Sequence, residues 1–323
     1  MRNRALLLTL MATVGCAEGA VNPPVIDATS VVEGVVYLDF DGDTSLGSSD
    51  DAIEGVRVRV ILPGSGQIVA ADTTDPDGEF LMEGVPVGTV EVGVDPEALG
   101  DTLQTVPMDS IRFTLGADAT LSVALGVTYP QLSLAEAREA EAGTSIFTQG
   151  VVLNSRGQAP GGAVHVEGAG VALRVLVPPA VQVLVGDSVR IQGRIGTDLG
   201  QPALLDGRML RVVPGARDVE PRAPTLGEAR TGANGLDAAL VEFTSGTVQT
   251  FETVAEGFLM KVVAGADTLD VRLRSEQGFF QGGIPEGAQV LRLVGLLVHD
   301  PGSATWALVP RSPTDVRLGP PPA

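Results

Sequence analysis

Apolar and polar residues alternate along most of this chain in short runs, as in VRVRVIL, TVEVGV, AVHVEG and SVRIQG. Alternation at period two puts the apolar side chains of an extended segment on one face, so the pattern predicts half-buried β-strands. Gly and Pro, at 41 and 22 of 323 residues, punctuate the runs too often for long helices. Two segments break the pattern. In SLAEAREAEAG, Ser133 stands three residues before Glu136, and in TLGEARTGANG Thr225 stands three before Glu228. That spacing is a capping box, so each predicts a short helix.

The two helices belong to a longer correspondence. Thr148-Gln149-Gly150-Val151 matches Thr244-Ser245-Gly246-Thr247, and VGDSVRIQG answers EGAQVLRLVG, in the same order along the chain. An offset that grows with position is what loop insertions leave in a duplicated domain. Each copy is expected to be a short helix followed by about five strands.

The first 16 residues read MRNRALLLTLMATVGC: two arginines, an apolar stretch too short to span a bilayer, then the only cysteine. This is an export signal. A lone Cys16 directly after it resembles the lipobox of bacterial lipoproteins, which implies acylation of that thiol; Thr13 departs from the usual pattern, and signal cleavage near Ala20 is the alternative. With no second cysteine, internal disulfides are excluded. The expected organisation is a signal peptide over 1–16, a tether over 17–30, a β-sandwich over 31–127, OB-like domains over 131–222 and 223–318, and a tail over 319–323.

The chemistry concentrates between Val35 and Val60, where a loop carries Asp39, Asp41, Asp43, Asp50 and Asp51. Clustered carboxylates repel, and a cation removes the repulsion. In a twelve-residue frame starting at Asp39, positions 1, 3, 5 and 12 are carboxylates and Ser45 falls where a backbone carbonyl is supplied, a hard-oxygen set that suits Ca²⁺. The frame departs at Thr44, where a turn glycine is expected, and at Asp50, where a longer Glu is usual. The candidate ligands are therefore Asp39, Asp41, Asp43, Ser45, Asp50 and Asp51; a solvated acidic turn is the other reading.

After the loop, E-G-V-x-V-x-V, then D-P-D-G-E-F, then V-P-x-G-x-V-x-V resembles the B-type domains of bacterial serine-aspartate-repeat surface proteins and, more loosely, prealbumin-like modules of adhesins. The resemblance implies a sandwich of about seven strands with calcium in the aspartate loop. The Lys to Asn isopeptide of some relatives has no counterpart, since the only lysine is Lys261. Residues 131–318, with S-L-A-E-A-R, V-G-D-x-V-R-I-x-G and P-A-L-L-D-G-R-M-L-R-V-V, resemble OB-like barrels of secreted nucleases and surface proteins. The fold class expected is all-β: an Ig-like or prealbumin-like sandwich followed by two OB-like barrels, each with a capping helix.

Charge narrows the function. Of a net −19, residues 1–130 hold −15, from 5 basic and 20 acidic side chains. This disfavours nucleic acid, because phosphate neutralisation supplies most of that affinity. His165 and His299 are the only histidines, and no H-E-x-x-H, G-x-S-x-G or phosphate-binding glycine loop occurs. Phe279-Phe280-Gln281-Gly282-Gly283 reads either as an aromatic loop tip or as a core-facing pair. The expectation is a non-enzymatic protein of the bacterial envelope, lipid-anchored or secreted, binding an unidentified surface glycan or protein and touching membrane only through its lipid. The alternative is an accessory or inhibitory subunit of a secreted hydrolase such as a nuclease.

Overall fold

A computed structural model describes residues 28–100, 102–106, 110–232, 235–279, 283–300 and 304–322. The expected signal peptide, Cys16 and most of the tether lie outside the described residues, as do Phe280, Gln281 and Gly282. The chain is all-β: a β-sandwich followed by two OB-like barrels, each carrying a short capping helix.

The sandwich comprises β1 (Thr29–Leu38), β2 (Asp51–Ala52), β3 (Arg57–Ile61), β4 (Ile68–Thr73), β5 (Glu79–Pro86), β6 (Gly88–Val94), the one-turn helix α1 (Pro96–Leu99), β7 (Gln104–Val106), β8 (Ile111–Leu115) and β9 (Thr120–Thr128). In the first sheet β1 is central. It pairs in parallel with β9 over Val31↔Thr120 to Leu38↔Val127, and antiparallel with β5 and then β2 on its other side. The second sheet runs β4-β3-β6-β8. Alternation decides the core: Val32, Val36, Phe80, Met82, Val123 and Leu125 of one sheet meet Val58, Val60, Val90 and Val92 of the other, all buried. The sequence suggested about seven strands. The two beyond that number are the short β2 and β7, each added at a sheet margin.

The first barrel consists of α2 (Leu134–Glu139), β10 (Ser145–Val152), β11 (Val164–Gly168), β12 (Val171–Val175), β13 (Ser188–Asp198) and β14 (Gln201–Val213). Its closure order β10-β11-β12-β14-β13 numbers its strands 1-2-3-5-4, the five-stranded OB arrangement. The second unit consists of α3 (Leu226–Thr231), β15 (Leu240–Phe243), β16 (Thr247–Val254), β17 (Gly257–Ala264), β18 (Asp267–Arg274), β19 (Gln289–Asp300), β20 (Thr305–Val309) and β21 (Val316–Gly319). Strands β16 to β20 repeat the same neighbours and directions, including the parallel pair β18–β20. Both helices carry complete capping boxes, from Ser133 with Glu136 and from Thr225 with Glu228.

The registers coincide as well. Adding 96 to both members of Val151↔Glu167 gives Thr247↔Val263, and adding 96 to Val164↔Val175 gives Met260↔Val271. The long first strand of barrel one, paired from Ser145↔Arg194 to Val151↔Ser188, becomes two strands in barrel two, from Leu240↔Leu296 to Thr247↔Gln289 without a slip. The interruption falls at Gly246, whose φ of +134° is one that L side chains rarely adopt. The seventh strand, β21, runs beside β19.

Neighbouring units share cores. Phe147 of β10 is fully buried among the sandwich residues, with Tyr129 at a ring separation of 5.9 Å and Leu210 beside the cluster. Leu153, Ala159 and Ala172 of barrel one pack into the core of barrel two. Polar contacts follow the same seam: Arg138 pairs with Asp237, Arg311 Nη1 donates to the Leu153 carbonyl at 2.9 Å, and Gln277 Nε2 donates to the Gln158 carbonyl at 3.0 Å. No helix of the described residues is long and apolar enough to cross a membrane.

Because Phe147 fills a core that its own barrel does not provide, Phe147→Ala should cost about 3–5 kcal/mol of stability, the range for truncating a buried aromatic. Urea unfolding followed by circular dichroism measures it. The partly buried Phe251, truncated the same way, should cost clearly less.

Candidate metal centre

The acidic loop leaves β1 at Leu38 and rejoins the sheet at β2, so it spans the end of the sandwich next to barrel one. Asp39 follows the last strand residue and is buried; Asp41 and Asp43 are exposed. One carboxylate oxygen from each lies within 4.8 Å of the others, and among the described residues this is the group so arranged. Oxygens bound on opposite sides of a calcium ion at about 2.3–2.6 Å are separated by a similar distance, so three hard donors at this spacing fit the ion.

The loop also neutralises itself in part. Asp39 Oδ1 accepts from the Gly42 N–H at 2.6 Å and Oδ2 from the Thr44 N–H at 3.2 Å. Asp41 accepts from the Asp43 N–H and from the Ser49 hydroxyl, the latter at 2.8 Å, and Asp43 accepts from the Ser45 N–H at 2.7 Å. A carboxylate offers about four lone-pair directions, so these bonds leave acceptor capacity on each. Thr44, where a glycine was expected, nevertheless takes φ of 65°, the left-handed turn conformation that a β-branched residue adopts only under strain. The Thr44 N–H bond to Asp39 holds it there.

The six sequence candidates therefore divide. Asp39, Asp41 and Asp43 converge, and Ser45 sits beside them through its bond to Asp43. Asp50 turns to the backbone, accepting from Phe40 N–H at 3.0 Å and Gly47 N–H at 2.7 Å. Asp51 opens β2 and faces Arg208 of barrel one at 3.6 Å.

Arg208 and Arg190 are the participants that the sequence pattern did not reveal. Arg190 Nη1 donates to the Asp41 carbonyl at 3.0 Å, and its guanidinium lies 4.7 Å from the centre of the Phe147 ring. Arg208 stacks over Phe40 at 4.1 Å. A Cβ on Gly42 would stand 2.0 Å from Arg190 Nη1, so this glycine serves both the turn and the approach of the arginine. Contacts spanning about 150 residues of sequence leave no local signal. Tyr37, beneath the loop, registers the field: burial first, and then Asp39, Asp50, Asp43 and Asp41, push its phenol above the ordinary tyrosine range.

The two histidines serve packing. His299 donates from Nδ1 to the Leu199 carbonyl at 2.7 Å and meets Trp306 edge to face at 5.3 Å, in the seam between the barrels. His165, in β11, is fully buried; its Nδ1–H donates to Asn154 Oδ1 at 3.1 Å, and the same oxygen takes its backbone N–H at 2.7 Å. Phe251 and Phe258 stack at 5.1 Å on neighbouring strands and pack against the core of barrel two.

No family model matches the chain, and no curated protein matches it. Among solved structures it is similar to the minor pilin GBS52 of Streptococcus agalactiae, at 13% identity and TM-score 0.26 over 32% of this chain and 46% of that one. It is also similar to the shaft pilin SpaA of Lactobacillus rhamnosus GG, at 11% identity and TM-score 0.25 over 60% of this chain and 100% of that one. A murine DNA-binding protein solved with double-stranded DNA gives 13% identity and TM-score 0.30, over 50% and 89%. Likenesses at this level carry no argument about partner or role.

Burial, and then the Arg174 guanidinium, hold the His165 imidazole well below its ordinary value of 6.5, so it is neutral in the folded chain. The unfolded chain takes up that proton first. Stability is then fully present above about pH 6.5 and falls as pH drops below it, by at most about 1.4 kcal/mol per pH unit for one proton. Denaturant unfolding between pH 7.5 and 5 should show this slope, and His165→Gln should flatten it.

Proposed function

We propose that this chain is a non-catalytic protein of the bacterial envelope. The sandwich over 31–127 binds one Ca²⁺, and the two barrels over 131–222 and 223–318 are held outward from it to bind a surface glycan or protein. Cys16 carries the lipid that anchors it. The observation that supports the reading is the convergence of Asp39, Asp41 and Asp43 at the end of the sandwich that meets barrel one.

Asp39, Asp41 and Asp43 would hold the ion, with Ser45 at the edge of the set. When bound, calcium supplies positive charge that offsets the carboxylate repulsion and crosslinks the loop. The protein's own part is to fix the carboxylates. The Gly42, Thr44 and Ser45 N–H groups orient them, while Arg190 and Arg208 press the loop against the barrel. In this reading calcium stiffens the junction between anchor and binding region, and catalysis is no part of it.

A ligand that binds only the folded state adds about 2.7 kcal/mol at a hundred times its Kd. Since sandwich and barrel share Phe147, the gain should spread over a large unit and raise its Tm by about 5–10 °C. Calorimetry with excess Ca²⁺ and then with chelator tests this. Asp41→Ala with Asp43→Ala should abolish the shift, and Mg²⁺ should give a smaller one because it dehydrates reluctantly. Equal transitions with calcium and with chelator would return the loop to a solvated turn.

The anchor is tested separately. Cys16→Ser should move the protein from the membrane fraction to the soluble one, and continued membrane association of that variant would remove the lipid from the reading.

A further inference from the structure

We infer that the outer face of the first sandwich sheet is a docking surface for a basic peptide segment of a partner protein. It borders the aspartate loop, which lends it Leu46, but uses none of the carboxylates of Asp39, Asp41 and Asp43 and needs no calcium.

The register builds the surface. Glu33 of β1 lies between Leu81 of β5 and Ser122 of β9, and Val35 lies between Glu79 and Ala124 on the same strands. These six side chains form a two-by-three grid on the face turned away from the core, since their neighbours Val32, Val36, Phe80, Met82, Val123 and Leu125 point inward. The floor is apolar at Val35, Leu81 and Ala124. Leu46, from the acidic loop, leans over one end, and the edge residues Asp72 and Asp75 close one side. Together they enclose a cleft of about 750 Å³. Leu81 and Leu46 are 53% and 51% exposed, an unusual state for two leucines sharing a cleft.

Charge selects the occupant. Glu33, Asp72, Asp75 and Glu79 line the cleft, and no lysine or arginine does so among the described residues. The first sheet carries no basic residue in any of its strands. The three arginines of the described sandwich, Arg57, Arg59 and Arg112, all belong to the second sheet, where they pair with Asp95 and Glu91. An apolar floor beneath an unneutralised acidic rim fits a segment that offers apolar side chains and ammonium or guanidinium groups together.

Three of the four carboxylates are already fixed. Glu33 Oε1 accepts from Ser122 Oγ at 2.8 Å. Asp72 Oδ2 accepts from the Leu81 N–H at 2.8 Å, and Asp75 Oδ1 from the Glu79 N–H at 2.9 Å. Those two N–H groups face outward from β5, so their capping by aspartate also stops another strand from extending the sheet at these positions. A partner must therefore lie across the face, and it meets carboxylates that lose little freedom on binding.

The test uses the full chain in the presence of chelator, which separates it from the calcium reading. Fluorescently labelled Lys-Val-Lys-Leu-Lys-Val-Lys should bind saturably in anisotropy titrations and weaken by about tenfold or more as NaCl rises from ~0.05 to ~0.5 M. The peptide with Glu in place of every Lys should not bind. Leu81→Ser and, separately, Glu33→Gln with Glu79→Gln should each weaken binding by about tenfold, the effect of removing an interfacial anchor, with unchanged circular dichroism and Tm. Spermine binding as tightly as the peptide would overturn the proposal, because the apolar floor would then contribute nothing. So would loss of peptide binding in Asp41→Asn with Asp43→Asn but not in Leu81→Ser. Concentration-dependent dimerisation in sedimentation velocity that Leu81→Ser removes would assign the face to a second copy of the chain instead.

Discussion

Phe147 joins the first two units of this protein. Its strand belongs to barrel one, yet its ring is buried in the sandwich core, and the Arg190 guanidinium above it reaches the backbone of the acidic loop. A loop of like charges would ordinarily swing free, since repulsion favours extension. Here two arginines hold it, Arg190 resting on the Phe147 ring and Arg208 on that of Phe40. The relation between sandwich and barrel is set by packing first and electrostatics second, and the same order holds at the second seam. There Leu153 and Ala159 enter the neighbouring core, and Arg311 and Gln277 satisfy the carbonyls around them.

The clamp changes what a cation would do. Much of the carboxylate charge is already met by N–H groups of the loop, and Asp51 is paired with Arg208. Arg190 and Arg208 lie outside the converging triad, where they can support the loop without taking the ligand positions. Their positive charge nonetheless opposes that of a metal ion. The site is therefore expected to balance a stiff loop that costs little to organise against an ion that must compete with two resident cations.

Much of the fold was legible because it is written locally. Period-two runs marked the strands of both sheet systems, and the Ser133 and Thr225 boxes marked helices whose caps are complete. Offset landmarks became matching registers, so that Val151↔Glu167 and Thr247↔Val263 differ by 96 on both strands. The site was only partly legible. Alternation placed Asp39, Asp41 and Asp43 together, but the fate of Asp50 and Asp51 turned on backbone partners and on Arg208, which lies in a different domain. The β2 and β7 pairings escaped because two or three residues carry no period. The sheet-face cleft escaped because Leu81 follows strand patterning that does not say whether its face will be covered.

The two barrels show how tertiary context rewrites a shared position. On the second and third strands, barrel one pairs His165 with Arg174, and 96 residues on barrel two pairs Lys261 with Asp270. Opposite charges face each other in barrel two, and both stay half-exposed. In barrel one the pair is buried, and Arg174 is fixed instead by Asp198 through Nε at 2.5 Å and by the Pro160 carbonyl at 2.6 Å. The difference follows from position in the array. Loop residues Leu153 and Ala159, which feed the core of barrel two, bracket the segment whose Asn154 receives His165; burial first, and Arg274 of barrel two only after it, lower the Arg174 guanidinium from its ordinary value against the opposing pull of Asp198. A lysine and aspartate in that enclosed place would each need full desolvation. A neutral imidazole beside an arginine brings one formal charge fewer into that place, and the arginine's charge is met by Asp198.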